Sequence, residues 1–173
     1  RGKLLVLEDG PTVYVTAGSI VPYSRDQAWD VIADFTGYPS FMPGVTKVEF
    51  IGNGKKGPKY HWEIATDLVL FDYKYAYDAE YQMKKPEYIT WMMEQEDTKP
   101  STGFWRLIES DDNTLIFNGE TADLRKMGWI LNYALKLEPT LEHAILGCQS
   151  LVNINALKKE IEKGIKVQPR TEK

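Results

Sequence analysis

The stretch SIVPYSRDQAWDVIADFTGYPSFMPGVTKVEF, Ser19 to Phe50, sets out a strand, a capped helix, a turn and a second strand without a gap. Ser24 stands immediately before Arg25-Asp26-Gln27, the spacing of a capping box, in which the serine hydroxyl takes the third helical amide and the glutamine reaches back to the cap. Pro22 biases Val21 toward extended backbone, so the strand Ser19 to Val21 ends just ahead of that helix. Ala28, Val31, Ile32 and Phe35 recur at helical spacing, and Trp29 widens the apolar stripe they form. The segment Asp34 to Val45 breaks the helix at Gly37 and Pro39. It carries Tyr38, Phe41 and Met42 on what reads as a short irregular turn, three large apolar groups that need cover.

Upstream, Leu4 to Leu7 and Thr12 to Ile20 read as strands around Asp9-Gly10-Pro11, with residues 1–14 an N-terminal strand extension. Downstream the pattern becomes a meander. Lys47 to Ile51 ends at the turn signal Asn53-Gly54, and Lys59 to Thr66 resumes extended structure. Phe71, Tyr73, Tyr75 and Tyr77 alternate with Asp72, Lys74, Ala76 and Asp78, the period-two signature of a strand with one buried face. Tyr88 to Met93, Thr102 to Ile108 and Leu115 to Leu124 complete one antiparallel sheet. Residues 129–164 change period. Trp129, Ile130, Tyr133 and Leu137 fit one helical face, Pro139 suits the first turn of a new helix, and Leu141, Ala144, Ile145, Cys148, Leu151 and Val152 carry the stripe toward a stop at Gly164. The expected architecture is α+β, a single domain over residues 1–173.

Composition narrows the function. The chain has 173 residues and a net charge of -4 with interspersed signs, so no basic patch is present for nucleic acid. Lys55, Lys56 and Lys59 cluster around Gly54, Gly57 and Pro58, which reads as a solvated hairpin tip. No apolar run approaches the roughly 20 residues that span a bilayer, so no integral membrane segment is expected, while transient contact with a membrane surface stays open. Cys148 is the single cysteine, which rules out an internal disulfide and leaves the compartment undetermined. The first residue is Arg1 rather than Met, so a cytoplasmic protein and one exported after removal of a signal peptide both fit.

Val21-Pro22 through Ala28-Trp29, Asp34-Phe35 through Gly37-Tyr38-Pro39, and Phe41-Met42-Pro43-Gly44-Val45 resemble the START-like (SRPBCC) helix-grip superfamily, the polyketide cyclase/dehydrase and coenzyme Q-binding protein-like group. The likeness continues more loosely from Thr16 to Lys163. It implies a curved antiparallel sheet wrapped around a long C-terminal helix, with two short helices after the first strand. The superfamily hosts lipid carriers, hormone receptors and cyclases, so function has to be argued from the site.

Trp62, Tyr73, Tyr75, Tyr77, Ile89, Trp91 and Met93 project from strands whose opposite faces are more polar. One helix cannot cover so wide an apolar sheet, which leaves either a core filled by large side chains or a hollow. With the resemblance, a cavity is expected between sheet and C-terminal helix. It would be lined by Tyr38, Phe41, Met42, Trp62, Tyr73, Tyr75, Trp91, Trp129, Tyr133, Leu141, Ile145, Gly147 and Cys148. Tyr38, Phe41 and Met42 would form its entrance, or else an exposed patch for a protein partner. Cys148 reads as a small buried hydrophobe. His61 and His143 are the only histidines and suggest no metal site, and no cofactor motif is present. Resemblance to cyclases points weakly to Arg106, Arg125 and Tyr133 as catalytic groups, and His143 joins them as a weak candidate base. Alternation does not settle which sheet face Trp105 and Arg106 occupy. The first functional reading is binding or transport of a lipid, isoprenoid or quinone-like molecule. The alternative is a polyketide cyclase or aromatase.

Overall fold

A computed structural model describes residues 3–9, 12–68, 71–93, 101–111, 113–121, 124–126 and 129–167, with side chains described from Val15 onward except those of residues 66–68, 71–73, 126 and 165–167. Strands β1 (Lys3–Asp9), β2 (Thr12–Val21), β3 (Val45–Asn53), β4 (Pro58–Leu68), β5 (Phe71–Lys84), β6 (Tyr88–Met93), β7 (Thr102–Ser110) and β8 (Asn113–Thr121) form one sheet in the order β1-β2-β8-β7-β6-β5-β4-β3. All neighbours run antiparallel. Helices α1 (Arg25–Ile32), α2 (Trp129–Leu137) and α3 (Leu141–Val167) complete it, with 3-10 turns at Phe35–Ser40 and Leu124–Lys126. This is the START-like helix grip that the sequence resembles.

The topology explains the opening motif. β2 lies beside β8, whereas β3 is the far edge, so the chain must cross the whole sheet between Val21 and Val45. Helix α1 and the 3-10 turn make that crossing. Ser24 Oγ accepts from the Gln27 amide at 3.3 Å and Gln27 Oε1 accepts from the Ser24 amide at 3.0 Å, so the capping box forms as expected. Asp34 Oδ1 then accepts from the Gly37 amide at 3.2 Å and caps the 3-10 turn. Pro39 lies inside that turn. The segment read as irregular is therefore regular, and its apolar groups are core: Tyr38 is 4% exposed and Met42 5%. Their burial removes the exposed-patch reading for Tyr38 and Met42. Phe41 is half-buried against Tyr38, with ring centroids 5.1 Å apart.

Inward residues of every strand from β2 to β8, Ala17, Val48, Trp62, Tyr81, Ile89, Trp105 and Ile116 among them, meet Ala28, Trp29, Ile32 and Phe35 from the crossing and Ile154, Leu157 and Ile161 from α3. The far edge is protected. β3 carries two register irregularities, one at Gly52, whose φ of +121° suits glycine. Lys47 also pairs with Glu49 at 2.9 Å and Glu63 at 3.4 Å along that edge.

The helical faces differ from the expectation. α2 buries Leu131 and Leu135 against Val15, Leu124 and Leu146, and leaves Trp129, Ile130, Tyr133 and Leu137 exposed. In α3 the sheet-facing stripe is Glu142, Leu146, Gly147, Ser150, Ile154, Leu157 and Ile161, while Leu141, Ala144, Ile145, Cys148 and Val152 are exposed. Cys148 is therefore not a buried hydrophobe. β8 also stops at Thr121, and Leu124 belongs to the turn that follows.

Candidate functional site

The inner face of β4 to β6 is an aromatic wall. Register pairs Trp62 with Tyr77, Ile64 with Tyr75, and Tyr81 with Trp91, so these side chains share one face. Trp62 and Tyr77 lie parallel within 2° at 6.2 Å, Tyr75 and Tyr77 within 21° at 5.8 Å, and Tyr81 and Trp91 within 29° at 6.4 Å. At one end the wall is closed by Phe35 and Tyr38, whose rings meet Trp62 edge-on at 6.0 and 5.5 Å. The Tyr38 hydroxyl donates to the Ile32 carbonyl at 2.8 Å, and burial drives its pKa up.

Toward the other end, where α3 begins, cover runs out. Tyr75, Tyr77, Trp91 and Met93 point inward yet stay only half-buried. α3 lies on β2, β8 and α1 and leaves β4 to β6 without comparable contact. The inner face of β4 to β6 is therefore incompletely covered on the side toward the helix. Trp91 is held flat against the sheet because a Cβ on Gly103, its cross-strand neighbour, would stand 2.0 Å from Trp91 Cζ2.

Strand β8 has an unusual inner face. Its inward residues are Thr114, Ile116, Asn118 and Glu120, while the more apolar Leu115 and Phe117 point outward. Phe117 is accommodated over Gly18, and Phe104 over Gly119, on the outer face. The protein satisfies the first two inward polar groups. Thr114 Oγ1 donates to the Tyr23 carbonyl at 2.8 Å, and Asn118 donates to the Phe104 carbonyl at 3.2 Å while accepting from Asn153 of α3 at 3.4 Å. Glu120 is different. Part of the residue remains accessible, but its Oε1 is buried and meets no hydrogen-bond partner, and burial alone pushes its pKa up to about 7. Its cross-strand neighbours are Gly103 and Val15.

Glu120 and the aromatic wall face one space. The Tyr77 hydroxyl has its pKa raised chiefly by burial, then by the nearby Tyr75, Glu120 and Tyr38. β5 and β8 are three strands apart, and Trp91 and Gly103 stand between them on the same inward register. Trp62 Nε1 is buried without an aligned acceptor, although the Tyr81 hydroxyl lies close enough to feel it.

The structure divides the sequence-derived candidates. Tyr38, Trp62, Tyr75 and Trp91 belong to the wall or its closed end, with Met42 in the core behind it and Phe41 packed on it. Tyr73 pairs with Thr66 on the same register, but its side chain lies outside the described residues. Gly147 is buried in α3. Trp129 and Tyr133, 79% and 61% exposed, stand on α2 away from the wall, and Leu141, Ile145 and Cys148 lie on the exposed side of α3. Arg106 sits on the outer face over the Tyr88 ring at 5.9 Å, which removes it from the inner side, whereas Trp105 points inward at 4% exposure. Arg125 is exposed and His143 half-buried. His61 is on the outer face, its Nδ1 2.6 Å from Asp78. Among the described residues no group of His, Cys, Asp or Glu could hold a metal, and no helix is long and apolar enough to cross a membrane. Glu120 was not foreseen.

A groove of about 400 Å³ opens on the opposite face of the sheet, floored by Thr16, Thr90, Thr102, Phe104, Gly119 and Thr121 and edged by Lys56, and its lining also takes in parts of Val15, Trp91, Gly103 and Glu120. Four of its lining residues are threonines, and the hairpin tip beside it is tied down by Glu80, which accepts from the Lys56 and Gly57 amides. The inner wall differs from it in concentrating the stacked aromatics.

Comparison with known proteins agrees with the fold. The ZhuI aromatase/cyclase of Streptomyces sp. R1128 superposes with a TM-score of 0.67 at 19% identity, over 94% of this chain and 99% of that one. A STAR-related lipid transfer protein of Xanthomonas axonopodis gives 0.61 at 13% identity, over 93% of each chain. A START superfamily protein of Mycobacterium smegmatis gives 0.56 at 17% identity, over 87% and 97%. At these identities the likeness is one of fold. No curated protein sequence matches. Residues 21–146 match the family described as polyketide cyclase / dehydrase and lipid transport, which is most of the chain, and the protein belongs to that family.

Proposed function

We propose that the protein binds and carries a hydrophobic small molecule in the cleft between the aromatic wall of β4 to β6 and helix α3. The observation that carries this reading is the half-buried inner face of Tyr75, Tyr77 and Trp91, which α3 leaves uncovered. Removing a ligand's apolar surface from water there gains about 25 cal/mol per Å² before ordering costs. A few polar tips would fix its orientation, the usual composition of a small-molecule site. Family membership is compatible with this, since lipid transport is part of the family's description. Native mass spectrometry of gently purified protein tests it directly. A retained lipid-like mass is expected, and it should persist in Arg106→Ala, because Arg106 lies on the outer face. Bare protein that also fails to take up added lipids, isoprenoids or quinones would refute the reading.

A second reading, a cyclase, draws on one observation. A carboxyl group with its pKa pushed up to about 7 can exchange a proton near neutral pH, as a general acid or base must. Turnover of a poly-β-ketone by the wild type, lost in Glu120→Gln while binding persists, would establish that reading over carriage.

A further inference from the structure

We propose that Glu120 is the polar anchor of the cleft, and that it selects a neutral amphiphile bearing a hydroxyl over an anionic one. This rests on the cleft being a ligand site and names the chemistry of what enters it. Of the three polar residues that β8 turns inward, Thr114 and Asn118 are satisfied by the protein itself, one at a backbone carbonyl and the other at a carbonyl and an α3 side chain. Glu120 alone is left with a buried oxygen lacking a donor. Buried acceptors in native proteins are nearly always paired, so the missing donor is expected from a bound molecule or a bridging water.

The surroundings say which molecule. Gly103 and Val15 flank Glu120 and supply no charge, and the inward positions of β2 and β4 to β8 among the described residues contain no lysine or arginine. An anionic head would therefore meet a carboxylate with no lysine or arginine from those strand positions to compensate it. A hydroxyl, by contrast, gives Oε1 the donor it lacks and adds no charge to a buried space. Tyr77, whose hydroxyl is near enough to feel Glu120, can accept from or donate to the same head.

The test uses three probes with one tail: dodecanol, dodecyl methyl ether and dodecanoate. Each displaces the neutral reporter N-phenyl-1-naphthylamine from wild type, Glu120→Gln and Glu120→Leu at pH 8. Wild type should prefer dodecanol to the ether by about tenfold to a hundredfold, the range for a hydrogen bond to a charged group, and should bind dodecanoate most weakly. Glu120→Leu should abolish the alcohol-over-ether preference and narrow the gap to dodecanoate. Glu120→Gln should keep part of the preference, because its amide oxygen still accepts, and should relax the rejection of dodecanoate. If wild type binds alcohol and ether equally, or if the preference survives in Glu120→Leu, the anchor is wrong while the cleft stands. If no probe displaces the reporter and native mass spectrometry finds no ligand, the cleft reading fails and the anchor with it.

Discussion

Replacing Glu120 by glutamine should make the protein more stable, and by an amount that depends on pH. The carboxyl group's pKa is raised from 4.5 to about 7 by burial, so the folded chain binds this proton more tightly than the unfolded chain does. The site is therefore no burden below about pH 4.5, where both states are protonated. Stability is lost progressively as pH rises from there through about 7, and the loss is complete above it. At 1.36 kcal/mol per pKa unit the full penalty is about 3 kcal/mol, and water reaching the accessible part of the residue lowers it toward about 1 kcal/mol. Glutamine is nearly isosteric and never charges. The variant and wild type should thus differ by less than about 1 kcal/mol at pH 5, while at pH 8 the variant should be stabilised by about 1–3 kcal/mol, or about 2–12 °C in Tm for a chain of this size. Urea unfolding followed by tryptophan fluorescence at half-unit steps from pH 5 to 8.5 measures the difference. Subtracting the two curves removes the contributions of the other acids and both histidines. A difference that stays flat across this range would refute the claim that Glu120 is buried without a partner, and a destabilised variant would mean that the ionised form is held by a donor.

Two further substitutions probe the frame of the site. Trp29→Ala should lower stability by about 3–5 kcal/mol, because this α1 side chain is 5% exposed and packed in the main core; an unchanged unfolding midpoint would contradict that packing. Gly103→Ala adds a methyl group 2.0 Å from Trp91 Cζ2, so the indole must swing off the sheet into the cleft. Lipid affinity should fall at least tenfold with a shift in tryptophan emission, whereas unaltered emission and affinity would show that Trp91 does not line the ligand's space.

The capping box at Ser24, the turn at Asn53-Gly54 and the alternation of Tyr73, Tyr75 and Tyr77 were legible because each is decided within a few residues of chain. Which face turns inward was legible only where the neighbours cooperate. Trp62 could be placed because its neighbours along the strand, His61 and Glu63, are polar. In β8 the rule fails: Leu115 and Phe117 point outward because Gly18 of β2 leaves Phe117 room, a fact set by pairing across nearly a hundred residues of chain. The same holds for α2, where Trp129 and Tyr133 make the larger apolar face but Leu131 and Leu135 fit the space beside Val15. Tertiary fit overrode local hydrophobicity in both.

Those two failures carry different weight for function. A helix that exposes tryptophan and tyrosine still satisfies its backbone internally, and its outward face imposes no debt on the fold. A strand that turns threonine, asparagine and glutamate inward must find partners for each of them. Thr114 and Asn118 find theirs in Tyr23, Phe104 and Asn153, which are available because α3 and the end of β2 press against that part of β8. Glu120 lies farther along the strand, toward the start of α3, where the aromatic wall stays uncovered. The polar face of β8 and the half-buried end of the β5 and β6 face thus lie on the same incompletely packed side of the sheet. A sequence selected for stability alone would place leucine at position 120. A carboxylate whose buried Oε1 meets no donor is the physical reason to assign the cleft to a ligand rather than to imperfect packing.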